Sequence, residues 1–369
     1  MKKITRRAFG VLTLGTLTLA GAPAFAADAT MTKAKQSVSK GLAYLKSVQE
    51  ADGSWGRYPA TTALALAAFL RNGQNEIKEP AVAKGVKYLL AAVRADGGIY
   101  SDADPQMALP NYNTSLCLMT LALTHNAAYV PIIHKAQAFL IKAQFDEDDG
   151  IKPSDSKYGG IGYGDDPGDN DRPDLSNLQL ALEALKESGA ETSSPVWKKA
   201  IVFIQRVQNR KASNDQDWVK DGPNDGGFAY DTKGTTFSGS GGHASYGSMS
   251  YAGLKSYIYA GVDRNDPRAK AAWDWIRANY TLTEHPGMGD ASLYYYYHTV
   301  AKTFDVYGQK VFKDTKGKSH DWPHELATQL TATQHPDGSW FNTNGRFWED
   351  RPALVTSYTL IALSYCLKR

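Results

Sequence analysis

Apolar residues recur along this chain in two kinds of stripe. In one set of segments they fall at i, i+3 and i+4 between lysines and glutamates, the spacing of a helix with one buried face. This predicts amphipathic helices near 33–49, 80–93, 131–144, 195–208, 267–280 and 321–334. Several open on proline, which suits a first turn where the backbone N–H has no helical partner. The second set, near 60–71, 112–125, 174–188, 245–260, 293–307 and 353–367, is apolar around most of its circumference. A helix of that kind is buried on nearly every side. The two sets alternate, and repetition on this scale decides the architecture. Six half-buried helices wrapped around six buried ones describe an all-α protein, an α/α toroid of six helical hairpins.

Each buried helix opens on a small hydroxyl or polar pair: Thr61-Thr62, Thr114-Ser115, Ser176-Asn177, Gly247-Ser248, His298-Thr299 and Thr356-Ser357. Comparing these slots singles out His298, the one titratable side chain among them. The turns that lead into the buried helices also repeat. Gln49-Glu50-Ala51-Asp52-Gly53-Ser54-Trp55 and Gln334-His335-Pro336-Asp337-Gly338-Ser339-Trp340 are near copies, with degenerate versions at Asp96-Gly97, Asp149-Gly150 and Asp225-Gly226. An Asp-Gly pair after a helix lets the chain reverse sharply, and the tryptophan caps it with a large apolar ring. These motifs read as structural.

Gln-x-x-Asp-Gly-Ser-Trp repeats in an all-α chain resemble the squalene cyclase and protein prenyltransferase repeat superfamily, and the likeness spans nearly the whole chain. Gly226-Gly227-Phe228-Ala229-Tyr230 followed by Tyr295-Tyr296-Tyr297-His298-Thr299 is similar to the pattern of prenyltransferase β-subunits. The resemblance implies a toroid with an isoprenoid ligand in its central cavity. The family's usual chemistry is not carried over intact. Its cyclases place an acid in Asp-x-Asp-Asp-Thr-Ala at the start of an inner helix. Here Asp146-Glu147-Asp148-Asp149 matches those letters but falls in a turn before Gly150, where it reads as a solvated loop, and Ala60-Thr61-Thr62-Ala63 occupies the true slot. Asp174, at the first turn of the third buried helix, is the nearest substitute, and a cap or helix-dipole partner is the plainer reading of it. Of the prenyltransferase zinc ligands only His298 remains, with Ala244 and Tyr246 at the other two positions, and one imidazole with His243 nearby does not make a zinc site. No metal or cofactor is implied.

The net charge of +3 misleads. Arg6-Arg7, an apolar run from Gly10 to Leu19 and Ala24-Phe25-Ala26 resemble a twin-arginine export signal, so 1–26 is expected to be removed and 27–369 to form the single toroid domain. The apolar run falls short of the roughly 20 residues of a spanning helix. Without the signal, 37 basic residues stand against 38 acidic ones. Nucleic acid therefore loses its support as a partner, as does an anionic membrane. An exported location, periplasmic or extracellular, follows. Cys117 and Cys366 lie on apolar faces and read as small core residues.

Candidate chemistry gathers near the buried helix starts. His298 and Asp174 are the catalytic candidates, since imidazole and carboxyl groups move protons at neutral pH. Tyr112, Tyr246, Tyr251, Tyr295, Tyr358 and Trp348 are the candidate ligand-binding wall, suited by area and ring faces to an isoprenoid chain. The same rings stack on sugars. A second reading is therefore a polysaccharide lyase or hydrolase with a carboxylate pair drawn from Asp174, Glu349 and Asp350 beside Arg172 or Arg351. A third is a non-catalytic binding or scaffold protein. The acidic loop 164–171 is a further candidate, for Ca²⁺ or Mg²⁺. Its spacing departs from that of a calcium-binding hand, and it reads as a flexible polar loop.

Overall fold

A computed structural model describes residues 22–103, 108–164, 172–235 and 241–368, with helix side chains from 29 onward. Twelve α-helices are present among them. The outer set is α1 (Ala22–Ser47), α3 (Pro80–Ala91), α5 (Val130–Lys142), α7 (Pro195–Arg206), α9 (Pro267–Asn279) and α11 (Trp322–Ala332). The inner set is α2 (Pro59–Arg71), α4 (Pro110–Leu123), α6 (Leu175–Glu187), α8 (Gly247–Tyr259), α10 (Leu293–Tyr307) and α12 (Pro352–Cys366). A short antiparallel hairpin, β1 (Val311–Lys313) with β2 (Ser319–Asp321), joins α10 to α11.

Inner helices pack in order, α2 on α4, α4 on α6, α6 on α8, α8 on α10 and α10 on α12, and α12 returns to α2. The structure is thus an α/α toroid of six hairpins. The difference in apolar width has its cause here. Nearly every residue of α12 from Leu354 to Cys366 is buried, whereas α5 buries only Ala136, Phe139 and Leu140. Cys117 and Cys366 are buried free thiols. Their burial pushes both well above the usual thiol range.

Three repeated contacts hold the ring. Glutamines at the ends of outer helices bridge to the next outer helix. Gln49 Nε2 donates to the Gly53 and Ala81 carbonyls at 2.9 and 2.8 Å, and Gln208 Nε2 to those of Gly226 and Arg268 at 3.0 Å each. Gln334 Nε2 donates to Gly338 and, at 2.9 Å, to Ser37 of α1, which closes the circle between the two ends of the chain. The glycine of the motif is needed at the same seam. Gly338 has φ +93°, and a Cβ there would lie 2.6 Å from the Lys40 carbonyl oxygen. Finally, Trp55 and Trp340 are fully buried and donate Nε1–H to the Leu45 and Leu330 carbonyls, both at 2.8 Å.

The hydroxyls that open the inner helices are part of this fabric. Thr62, Thr114, Ser250 and Thr356 accept the backbone N–H of Trp55, Ile99, Phe228 and Trp340 at 2.9 to 3.1 Å. The equivalent positions are therefore Thr62 and Ser250, not Thr61 and Gly247. His298 lies outside this series, because the corresponding turn of α10 is occupied by Tyr296 and Tyr297.

Asp146, Glu147 and Lys199 form an ion-paired turn, with Glu147–Asp149 in a single 3-10 turn. The expected export signal lies on residues 1–21, outside the described residues, and on the first turns of α1. The acidic segment 165–171 is outside them too. Among the described residues no helix is long and apolar enough to cross a membrane.

Candidate functional site

All inner helices begin at the same end of the ring, and a cavity of about 530 Å3 lies there. This is within the range of small-molecule sites, roughly 300–1,000 Å3. Tyr112 of α4, Ser176 of α6, Ser248 and Met249 of α8, Tyr295 of α10 and Tyr358 of α12 form its floor and walls. The turns before those helices add Tyr163, Tyr230, His285, Met288 and the segment Arg346–Glu349. With Tyr246, which immediately precedes α8, six tyrosines face one space. Their hydroxyls are largely engaged with one another: Tyr163 with Tyr230 at 3.3 Å, Tyr295 with Ser176 at 3.3 Å, and Tyr112 with Tyr358. Burial holds the phenols of Tyr246 and Tyr358 far above their ordinary range, so they present neutral hydroxyls and ring faces.

The rim is conformationally strained. Six non-glycine residues among those described have positive φ, and four of them line the cavity: Leu109 (33°), Ser292 (57°), Phe347 (58°) and Trp348 (65°). Each left-handed residue costs on the order of 1–2 kcal/mol, and such strain gathers where a ligand is held. Trp348 is fixed edge-on to Tyr58 with ring centroids 6.0 Å apart, and the Arg351 guanidinium lies 4.5 Å from its ring centroid.

One carboxyl group, Glu349, lines the cavity and a second, Asp174, lies behind its wall, and both are occupied. Glu349 is 1% exposed. Its Oε1 accepts the Tyr295 backbone N–H at 2.8 Å and its Oε2 the Asn342 side chain at 2.9 Å. Asp174 caps α6: Oδ1 accepts the Asn177 N–H and Oδ2 the Asn177 side chain, both at 2.8 Å. It stands behind Tyr230, whose hydroxyl bonds to it. Burial pushes each carboxyl up to about 7, against the opposing pull of these hydrogen bonds. His285 is occupied as well. Its Nε2 accepts the Ser248 N–H at 2.8 Å, so its Nδ1–H donates to the Ala291 carbonyl at 2.9 Å, and burial pulls it down to about 4.

No protein-family model matches this chain, and no curated protein matches it in sequence. Solved structures do match. A protein from Actinoplanes superposes with TM-score 0.52 at 15% identity over 91% of this chain and all of that one. The type II terpene cyclase MstE from Scytonema, a variant bound to its substrate geranylgeranyl dihydroxybenzoate, gives 0.54 at 12% identity over 92% and 98%. A D-mannose isomerase gives 0.52 at 12% over 91% and 97%. The kinship is one of fold.

Of the residues expected from sequence, the structure brings Tyr112, Tyr246, Tyr295, Tyr358 and Trp348 to the cavity. Tyr251 lies elsewhere. It sits on the side of α8 that meets α10, with its ring 5.6 Å from those of Tyr296 and Phe304. His298 lies beneath the floor, its ring centroid 5.1 Å from that of Tyr358, and is 4% exposed. Burial and the nearby Lys302 ammonium pull it well below the usual imidazole range, so it is neutral. Asp350 and Arg172 are exposed and do not line the cavity. Among the described residues no group of three or more His, Cys, Asp or Glu side chains could hold a metal ion.

Sequence reasoning missed Tyr163 and Tyr230. The signal was present: Gly159-Gly160-Ile161-Gly162-Tyr163 and Gly226-Gly227-Phe228-Ala229-Tyr230 are copies of one turn and put a tyrosine at the same place. His285 and Met288 come from a turn with no counterpart in the repeat.

Proposed function

We propose that this protein binds an isoprenoid chain in the tyrosine-lined cavity. The observation that carries the reading is a wall of six tyrosine faces with two methionines and a tryptophan, whose neighbouring carboxyls are closed by hydrogen bonds. A glycosidase needs two open carboxyl groups facing the sugar. An apolar chain needs area and ring faces.

The repeats and the fold support kinship with the squalene cyclase and prenyltransferase superfamily, and MstE is a toroid that holds a geranylgeranyl substrate. Alkene-triggered cyclisation is a poor fit, because a carboxyl group held near 7 is too weak an acid to protonate an alkene. Arg6-Arg7 and the small-residue site at Ala26 add export to the reading. The fold shared with D-mannose isomerase makes a sugar the competing ligand.

Calorimetric titration separates the two. Saturable binding of geranylgeranyl methyl ether, weakened at least tenfold in Trp348→Ala, with no heat from mannose, is the expected result. Binding of mannose and none of the ether would overturn the reading.

A further inference from the structure

Side chains of α6 and α10 meet along the ring axis in successive layers. At the cavity floor the Tyr295 hydroxyl contacts Ser176 Oγ and Gln179 Nε2, both at 3.3 Å. Two turns deeper, Glu183 is shared by Lys302 of α10 and Lys255 of α8, all three buried. Between those layers, one turn along each helix from Ser176 and Tyr295, stand Gln179 and His298. Both are buried, at 1% and 4% exposure. Each keeps one polar atom without a hydrogen-bond partner, Gln179 Oε1 and His298 Nδ1.

An orphaned buried polar atom is rare, and two in one layer call for an occupant. Their chemistry is complementary. An amide oxygen only accepts, whereas a neutral imidazole nitrogen carrying its proton donates. One hydroxyl group satisfies both. The lysine–glutamate layer lies below, and the rings of Tyr295 and Tyr358, whose centroids are 5.9 Å apart, stand between this layer and the cavity.

We propose that Gln179 and His298 form an end-group subsite at the bottom of the cavity, which takes the hydroxyl terminus of an isoprenoid alcohol. The hydroxyl donates to Gln179 Oε1 and accepts from His298 Nδ1–H, after a turn of the Tyr358 ring admits it. This rests on the isoprenoid reading above and narrows it, from any prenyl chain to a prenyl alcohol. It also gives His298 a binding role in place of a catalytic one.

The test compares three probes on the full protein by calorimetric titration: geranylgeraniol, its methyl ether, and the hydrocarbon of the same chain. Wild-type protein is expected to bind the alcohol about tenfold or more tighter than either analogue, since each analogue leaves a buried group unpaired. In Gln179→Leu and His298→Leu that preference is expected to fall to about twofold or less, with hydrocarbon affinity retained. Equal wild-type affinity for all three probes would overturn the subsite while leaving the isoprenoid reading intact, and would assign the layer to water alone. Failure of all three probes to bind would overturn the isoprenoid reading itself. The wild-type probe series needs no variant to fold. Thermal melting of both leucine variants shows whether a lost preference reflects the site or the fold.

Discussion

Replacing Asp174 with asparagine tests the carboxyl buried behind the cavity wall. The folded protein holds this proton up to about 7, against an ordinary 3.8. In the unfolded chain the proton leaves near the ordinary value. Between the two values the unfolded state therefore binds fewer protons, and stability falls by about 1.4 kcal/mol per pH unit as pH rises. Above the folded value the loss stops growing. Across a window of about three units the wild type loses about 3–4 kcal/mol that the variant cannot lose. Asparagine keeps an acceptor for the Asn177 N–H, and the bond it loses to the Asn177 side chain costs the same at every pH of the assay. His285 and His298 titrate in both proteins and cancel in the difference. Urea denaturation at pH 4, 6 and 8 is the assay. The variant is expected to gain about 3–4 kcal/mol on the wild type between pH 4 and pH 8. A stability difference that stays flat with pH would refute the raised carboxyl.

Glu183→Gln leaves Lys255 and Lys302 buried without their carboxylate, and is expected to cost about 3–5 kcal/mol by denaturation. Joining Glu183→Leu to Lys255→Met and Lys302→Met should restore most of that loss, because well-packed apolar side chains often match a buried ion cluster. Ser292→Gly relieves a residue at φ 57° that makes no side-chain cap bond, and should raise stability by about 0.5–1 kcal/mol in thermal melts. Trp55→Phe orphans the Leu45 carbonyl and shrinks a buried ring, and is expected to cost about 2–3 kcal/mol, whereas after Trp340→Phe the Leu330 carbonyl keeps Thr333 Oγ1 at 3.2 Å and the loss should be smaller.

The sequence made the ring legible and much of its chemistry illegible. Helix bounds follow from periodicity and from proline at the first turn, so α3, α7 and α9 start on the expected residue and α10 matches at both ends. The closing contacts of Gln334 and Gly338 with α1 were not visible, because the motif shows a glutamine and a glycine but not their partners 297 and 298 residues away. His298 stood out through a comparison one to three positions out of register with the hydroxyls of Thr62 and Ser250. Helical phase then decided its environment. Tyr295 reaches the cavity, while His298, one turn on, lies beneath the floor. Asp174 and Glu349 were legible as acids but not as buried ones. Their shift arises from loops that fold back over them, such as the one bearing Tyr230 and the one bearing Asn342.

Native mass spectrometry of the protein purified from its own host, followed by organic extraction, tests the central claim most directly. One isoprenoid molecule per chain, released on denaturation and reduced in Trp348→Ala, is the predicted result. A bound sugar, or a cavity found empty in repeated preparations that also fail to take up added geranylgeranyl probes, would contradict it.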